Sequence, residues 1–600
     1  MDENVKIVIN EVDNTSPAGR GTDSTDIAFI PGFSSLASAP KNDPRLCTSV
    51  KQFEELFGSK PRVLTTNDVV NYSHLGFGSS DFDRSYVFAK ELLNRGMSVY
   101  YCNMSVNEQT QPLQVIDNGP FWDEPFSDLE KPSGKFDELA YSDLNGQFSF
   151  HLKRNDTADG LVNYPATAVM EGKFTVEANS IVPFDVLVSS KSASCEVVNC
   201  ELTINIDDLT QKEQITVIQH SATCVEIQNN NASAVNIPYT LKIGTKTTME
   251  WDPDDNRKNY IYIDVVTRTS LLLDAFYKQN ANGKYNVSEM FELISDKSLY
   301  SVKYITSGGY PAVVDINGET NTMFALDMIN AAATRGDAVA LIDYQKAETT
   351  PVFGENSVYA KMQSAFRGVE KLSFGSAMYP WAIYNCANTL SFNGDTTIDM
   401  PGSFGYLSCV ARAIKTSPNW LAMAGVSRGL VPGIVDLLTP GRVVSNKVAE
   451  EMQPKYGEAG VQDLSINCIT NIRPYGLTLW GNRTMLPVDQ GGAVALNFLN
   501  TRNMISDVKK LLYTTAKSLM FEQNTDTLWL KFKSGISPLL NQMKAGNGIG
   551  DYKLIRGTTK YNGDPLTKGE ISAVIKIYPI YAVEYFELTV EISDNDVTVS

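Results

Sequence analysis

Residues 425–429 read GVSRG, a match to G-x-S-x-G. In that pattern two glycines allow a strained strand-to-helix turn to lift a serine hydroxyl above a sheet, where a histidine can take its proton. Ser427 is thus the candidate nucleophile of a serine hydrolase. The three histidines, His74, His151 and His220, all precede it. The α/β-hydrolase order is serine, then acid, then histidine, so that triad cannot be assembled here. The other reading of GVSRG is a turn whose small residues permit close backbone approach.

A second group has metal chemistry. Cys195, Cys200, His220 and Cys224 are the ligand types of a Cys3His zinc site. In CEVVNCELTINI, however, Cys200, Leu202, Ile204 and Ile206 share one strand face, and Cys195 has the opposite parity unless a bulge intervenes. Cysteines so placed read as small buried apolar residues. Asp252, Asp254 and Asn256 in WDPDDNRKNYIYID start like a calcium loop, but the sixth and twelfth positions hold Arg257 and Ile263 instead of glycine and glutamate. A polar turn entering the strand YIYIDV accounts for them better. GNGIGD at 546–551 follows a helical stretch, the wrong order for a dinucleotide loop. The residues predict no catalytic centre, no metal and no cofactor.

The elements that would position such residues divide 600 residues into several domains, more than one core usually organises. With 69 acidic and 51 basic residues, the net charge of −18 repels a phosphate backbone, and direct nucleic-acid binding is not expected. No run approaches the roughly 18 apolar residues of a membrane span. The acidic N-terminus lacks the apolar region of a signal peptide, so assembly in a cytoplasm is expected. Eight scattered cysteines do not read as a disulfide scaffold.

Residues 1–25 read as an arm and linker: Val5, Ile7 and Ile9 alternate on one strand face, and a polar, glycine-containing stretch follows. Residues 26–110 begin an α/β core. DIAFIPGF is a strand, and Ser49 with Gln52 caps a helix carrying Phe53, Leu56 and Phe57 that stops at Gly58. A second helix stops at Gly96 before the strand MSVYYCNM. Residues 111–285 read as inserted and β-rich, with alternating runs between 172 and 245 suggesting an antiparallel, immunoglobulin-like sandwich. Residues 286–445 resume the core, with a helix ending at Gly336 before the strand AVALID.

Residues 446–583 form an α+β C-terminal domain. One helix carries Ile505, Val508, Leu512 and Leu519; a second, capped by Thr525 or Asp526, turns Trp529, Phe532, Ile536, Leu540 and Met543 inward, and a kink is expected at its Pro538. Residues 584–600 are a terminal strand arm, with Phe586, Leu588, Val590 and Ile592 on one face. The fold class is therefore multidomain α/β and α+β: a discontinuous α/β core, a sandwich-like insertion, a C-terminal domain and extended terminal arms.

In that order the chain resembles the contractile tail sheath proteins of bacteriophages and of phage-like injection systems. The likeness rests on DIAFIPGFSSLASAPKNDPRLCTSVKQFEELFG, SGGYP, DAVALID, SAMYPWAIYN and MPGSFGYLSCVARAIKTSPNWLAMAGVSRGLVPGI. It continues through SINCITNIRPYGLTLWGNRTM, the helix pair from LNFLNTRNM to TDTLWLKF, and IYPIYAVEYFELTVEIS. Residues 110–285 carry none of it. The resemblance implies a structural protein, not an enzyme. It implies stacked hexameric rings around an inner tube, joined when arms add strands to sheets of neighbouring copies, and contraction from a metastable extended state that drives the tube through a cell envelope. The implied partners are further copies of the chain, the inner tube protein, and baseplate and tail terminator proteins. The implied location is the virion, after assembly in the host bacterium. Lys509, Lys510 and Lys517, on the polar side of the first C-terminal helix, are the expected tube contacts. Two other readings are a serine hydrolase acting through Ser427 and an adhesin or carbohydrate-binding protein acting through 172–245.

Overall fold

The computed structural model describes residues 26–582 except 37, 65–81, 105–107, 117–137, 143–148, 155–163, 191–194, 208, 248–259, 269–271, 281, 317, 393, 415, 419, 454–462, 489–493 and 558–570. Both expected arm strands, Val5–Ile9 and Phe586–Ile592, lie outside the described residues, as do Asp252, Asp254 and Asn256.

The centre is an eight-stranded sheet. Its strands are β1 (Ile27–Gly32), β2 (Arg45–Cys47), β3 (Ser98–Asn103), β4 (Tyr304–Ile305), β5 (Val339–Asp343), β6 (Gly375–Tyr379), β7 (Ile466–Ile472) and β8 (Gly476–Trp480). Their spatial order is β2-β3-β1-β4-β5-β6-β7-β8, with the six inner strands parallel and each edge strand antiparallel. β1, β5 and β6 are buried along their whole length, as expected of parallel strands covered on both faces. Helices α1 (Val50–Phe57), α2 (Arg84–Asn94), α3 (Ala325–Arg335) and α4 (Gly402–Ala413) supply the cover. The helix signals act as read. Ser49 Oγ accepts from Gln52 N at 3.3 Å, and the chain stops α3 at Gly336, whose φ of 73° is left-handed.

Between β3 and β4 the chain builds two five-stranded antiparallel sheets. One runs, in spatial order, 215–219, 224–229, 180–190, 260–268 and 108–116; the other runs 138–142, 149–154, 164–176, 235–247 and 195–204. Their facing sides share one apolar core, in which Phe174 of one sheet stacks on Phe184 of the other at 3.6 Å between ring centres.

The C-terminal part has a separate core. α5 (Leu499–Leu519) and α6 (Asp526–Ala545) form an antiparallel pair, and β9 (Ile549–Arg556) and β10 (Ala573–Pro579) form a two-stranded antiparallel sheet. Thr525 is the residue that caps α6, accepting from Leu528 N at 3.3 Å, and α6 runs unbroken through Pro538. Ile536, Leu540 and Met543 are buried against Met504, Val508, Trp420 and Ile549. Ile505, Leu512 and Phe532 pack on that cluster from its margin.

Candidate assembly surfaces and the closed core crevice

An open α/β sheet binds ligands beyond the carboxyl ends of its strands, where the strand order reverses. Here that point lies between β1 and β4, flanked by β3 and β5, and the chain's own side chains fill it. A Cβ on Gly32 would lie 2.3 Å from the Tyr101 hydroxyl, and one on Gly309 would lie 2.3 Å from Arg84 Cβ. Asp83, which caps α2, is buried there and accepts hydrogen bonds from Phe33 N (2.8 Å), Tyr310 OH (2.7 Å), Tyr101 OH (3.0 Å) and Ser85 N (3.0 Å). Burial pushes its pKa up, and those four donors oppose the rise. A carboxylate engaged on every side is a brace for the turn, with no lone pair left to act as a base.

Ser427 is exposed on a single helical turn, Gly425–Arg428, and among the described residues no strand leads into it. Gly425 has φ 73°, and a Cβ on Gly429 would meet Leu479 O at 2.7 Å. The turn is tied down by Arg428 Nε donating to Ala422 O and Arg412 Nη2 donating to Arg428 O, both at 2.8 Å. Gly425 therefore serves a left-handed backbone and Gly429 a close backbone approach, and the serine has no strand-to-helix elbow beneath it.

The cysteine register departs from simple alternation. Cys200 pairs with Ile243, Asn199 with Gly244 and Val197 with Thr245, so Val198 is an extra residue in its strand. This bulge shifts the parity and places Cys195, opposite Thr247, at a register position on the same face as Cys200. The expectation that the two diverge is thereby corrected at the backbone; the Cys195 side chain lies outside the described residues. Cys200 packs at the margin of the apolar sandwich core, where burial raises its thiol to about 12. Cys224 is buried, and His220 Nε2 lies 3.5 Å from Glu226. Among the described residues no three metal-ligating side chains converge.

In the C-terminal domain the three lysines do not share one polar face. Lys509 is buried, its ammonium 5.8 Å from the centre of the Phe374 ring. The Lys510 stem is half-buried and its ammonium has no exposed surface. Burial pushes that amine down to about 8. Lys517 alone of the three is exposed, near the Tyr513 ring. The expectation of a tube-facing stripe at 509, 510 and 517 is corrected for the first two. The reason is that α5 packs against the α/β core along its N-terminal half, where Leu499–Asn503 are also buried.

That packing carries a cluster the sequence did not announce. Lys303, with no exposed side-chain surface, places its ammonium 2.7 Å from Asp26 and 2.9 Å from Asp507. Burial works against its charge, but the two carboxylates outweigh that and hold its pKa above the usual lysine value. Asp26 is pushed up, mainly by its own burial. Nothing in the sequence marks a pairing across 204 positions.

β9 and β10 offer a different surface. Tyr552, Ile575 and Ile577 face the helix pair, while Ile555 and Val574, opposite one another, are 44% and 46% exposed. Among the described residues neither strand has a second neighbour. A two-stranded sheet is marginal alone, and its open edges are templates for further strands. Just past β10, Tyr581 stacks on Phe498 at 4.9 Å, and the terminal segment begins within two residues.

Residues 494–593, which include this helix pair and sheet, match the family model of the phage tail sheath C-terminal domain. Part of the chain is thus similar to tail sheath proteins. It is 24% identical over 182 residues to the tail sheath protein of Vibrio phage KVP40, and 24% identical over 178 residues to that of Enterobacteria phage T4. Each alignment covers 30% of this chain and 25% of the relative, so the chain matches about a quarter of those proteins' length. Among solved structures, the contracted sheath complex of the PVC extracellular contractile injection system is similar over 51% of this chain and 75% of that one, at 17% identity and a TM-score of 0.36. The baseplate of the anti-feeding prophage contains a chain similar over 53% and 74%, at 16% identity and a TM-score of 0.37.

Proposed function

We propose that this protein is the structural subunit of a contractile tail sheath. Copies stack as hexameric rings around an inner tube and contract from a metastable extended state, driving the tube through a host envelope for genome delivery. Its role is mechanical, with no catalytic step. The observation that carries the reading is the match to the sheath C-terminal domain, whose two-stranded sheet has no further strand among the described residues and is followed in sequence by a run of alternating apolar residues.

In this reading 1–25 and 584–600 are arms that add strands to β9–β10 of adjoining copies. Each main-chain hydrogen bond so formed contributes about 1 kcal/mol net. Burial of Phe586, Leu588, Val590 and Ile592 contributes about 1.5–3 kcal/mol each. Val5, Ile7 and Ile9 play the same part from the other end. The discontinuous α/β core, interrupted by the β domain, carries the C-terminal domain towards the tube, with Lys517 left as its exposed lysine contact. Baseplate and terminator proteins bound the cylinder, which resides in the virion after assembly in the bacterial cytoplasm.

Negative-stain microscopy of purified protein tests this directly. Striated hollow cylinders are expected from the full chain, and only folded monomers after deletion of 1–20 or 584–600. Failure of the full chain to form cylinders with its tube protein present would overturn the proposal.

A further inference from the structure

Asp26 is the last residue before β1, Lys303 the last before β4, and Asp507 lies in α5 of the C-terminal domain. Their side chains are 2%, 0% and 2% exposed. Lys303 is also held by its backbone: its N–H donates to Ile27 O at 2.9 Å and its carbonyl accepts from Val339 N at 2.8 Å. Around the triad stand Lys510, Asp337 and Arg335, the last two 3.0 Å apart, so three cations face three anions. A displacement of Asp26, Lys303 or Asp507 leaves the other two buried and under-compensated, which is strongly unfavourable.

Three separate elements therefore share one buried charge balance. Residue 26 is also where segment 1–25 enters the fold, so anything that pulls on that segment acts first on Asp26. We infer that the Asp26–Lys303–Asp507 triad is a mechanical coupling. It makes the root of the N-terminal segment and the buried half of α5 one cooperative unit, so that a pull on the segment moves the C-terminal domain's helix instead of peeling β1 from the sheet. Its part in transmitting force rests on the sheath reading; the coupling itself is a property of the single chain.

Coupling of this kind is reciprocal. Hydrogen exchange on the full-length monomer reads it. Asp26→Asn is expected to speed exchange at Met504–Lys510 as well as at Ile27–Phe29. Asp507→Asn is expected to do the same at both places, by about 100-fold or more. Asp551→Asn, at an exposed pair with Lys544, should change neither. If each aspartate variant affects only its own segment, the coupling is refuted. Should either variant fail to fold, exchange of the wild-type chain in graded urea decides the matter instead. One opening free energy for both segments upholds the unit, and two different ones refute it. Neither measurement uses assembled protein, so loss of the coupling and absence of cylinders are separate outcomes.

Discussion

Arg62 and Asp185, 123 positions apart, meet in an ion pair of 3.1 Å with side chains only 3% and 4% exposed. Arg62 belongs to the α/β core and Asp185 to the strand Ser180–Ser190 of the inserted β domain. The pair is thus a buried bolt between two parts of the molecule.

Removing one partner strands the other charge in a dry site. Asp185→Ala is expected to cost about 3–5 kcal/mol, most of it from the orphaned guanidinium. Arg62→Met combined with Asp185→Leu should cost much less. Calorimetry of the two variants beside wild type checks the order; equal losses would show that packing, not charge, holds the joint.

Lys510 makes stability depend on alkaline pH. Its amine titrates near 8 in the fold, below its value in an unfolded chain. The unfolded state therefore holds more protons between about pH 8 and 10.5, and stability rises with pH through that window. Lys510→Met should raise stability near pH 7 by roughly 1–3 kcal/mol and flatten the rise. Urea unfolding at pH 7 and pH 10 is the measurement; an unchanged slope would place the titration elsewhere.

Val574 lies opposite Ile555 on the outer face of β9–β10, away from the helix pair. Val574→Asp is expected to leave monomer stability within about 0.5 kcal/mol, as exposed substitutions usually do. It should still abolish or shorten cylinders, because a charge would replace the apolar neighbour of any strand added beside β10. Thermal melting paired with sedimentation separates the two effects. Normal cylinders from this variant would move the arm-binding sheet elsewhere.

Ser427 sits on an exposed surface turn with no elbow geometry beneath it, so Ser427→Ala should leave both assembly and unfolding unchanged, within about 0.5 kcal/mol. Wild type and variant should hydrolyse an activated ester at the same background rate. A drop in the variant alone would restore the hydrolase reading.

Much of this architecture is local and could be read along the chain. The stops at Gly58, Gly96 and Gly336 follow from backbone freedom, and the Thr525 cap and the buried stripe Ile536, Leu540, Met543 follow from helical period. The strands Ile27–Gly32 and Val339–Asp343 follow from continuous apolar runs. Such features depend on neighbours within a few residues, so composition and spacing suffice to determine them. The likeness to tail sheaths was legible for the same reason, being carried by short stretches in a fixed order. Tertiary structure alone decided the rest. The bulge at Val198 reverses the parity of Cys195 because a partner strand far along the chain, Val235–Thr247, sets the register. Lys509 and Lys510 look like a solvated face until the core closes over α5. Lys303 finds Asp26 and Asp507 only when three distant elements converge. Periodicity tells which residues lie together on one element, but a charge is exposed or buried according to what another element brings against it.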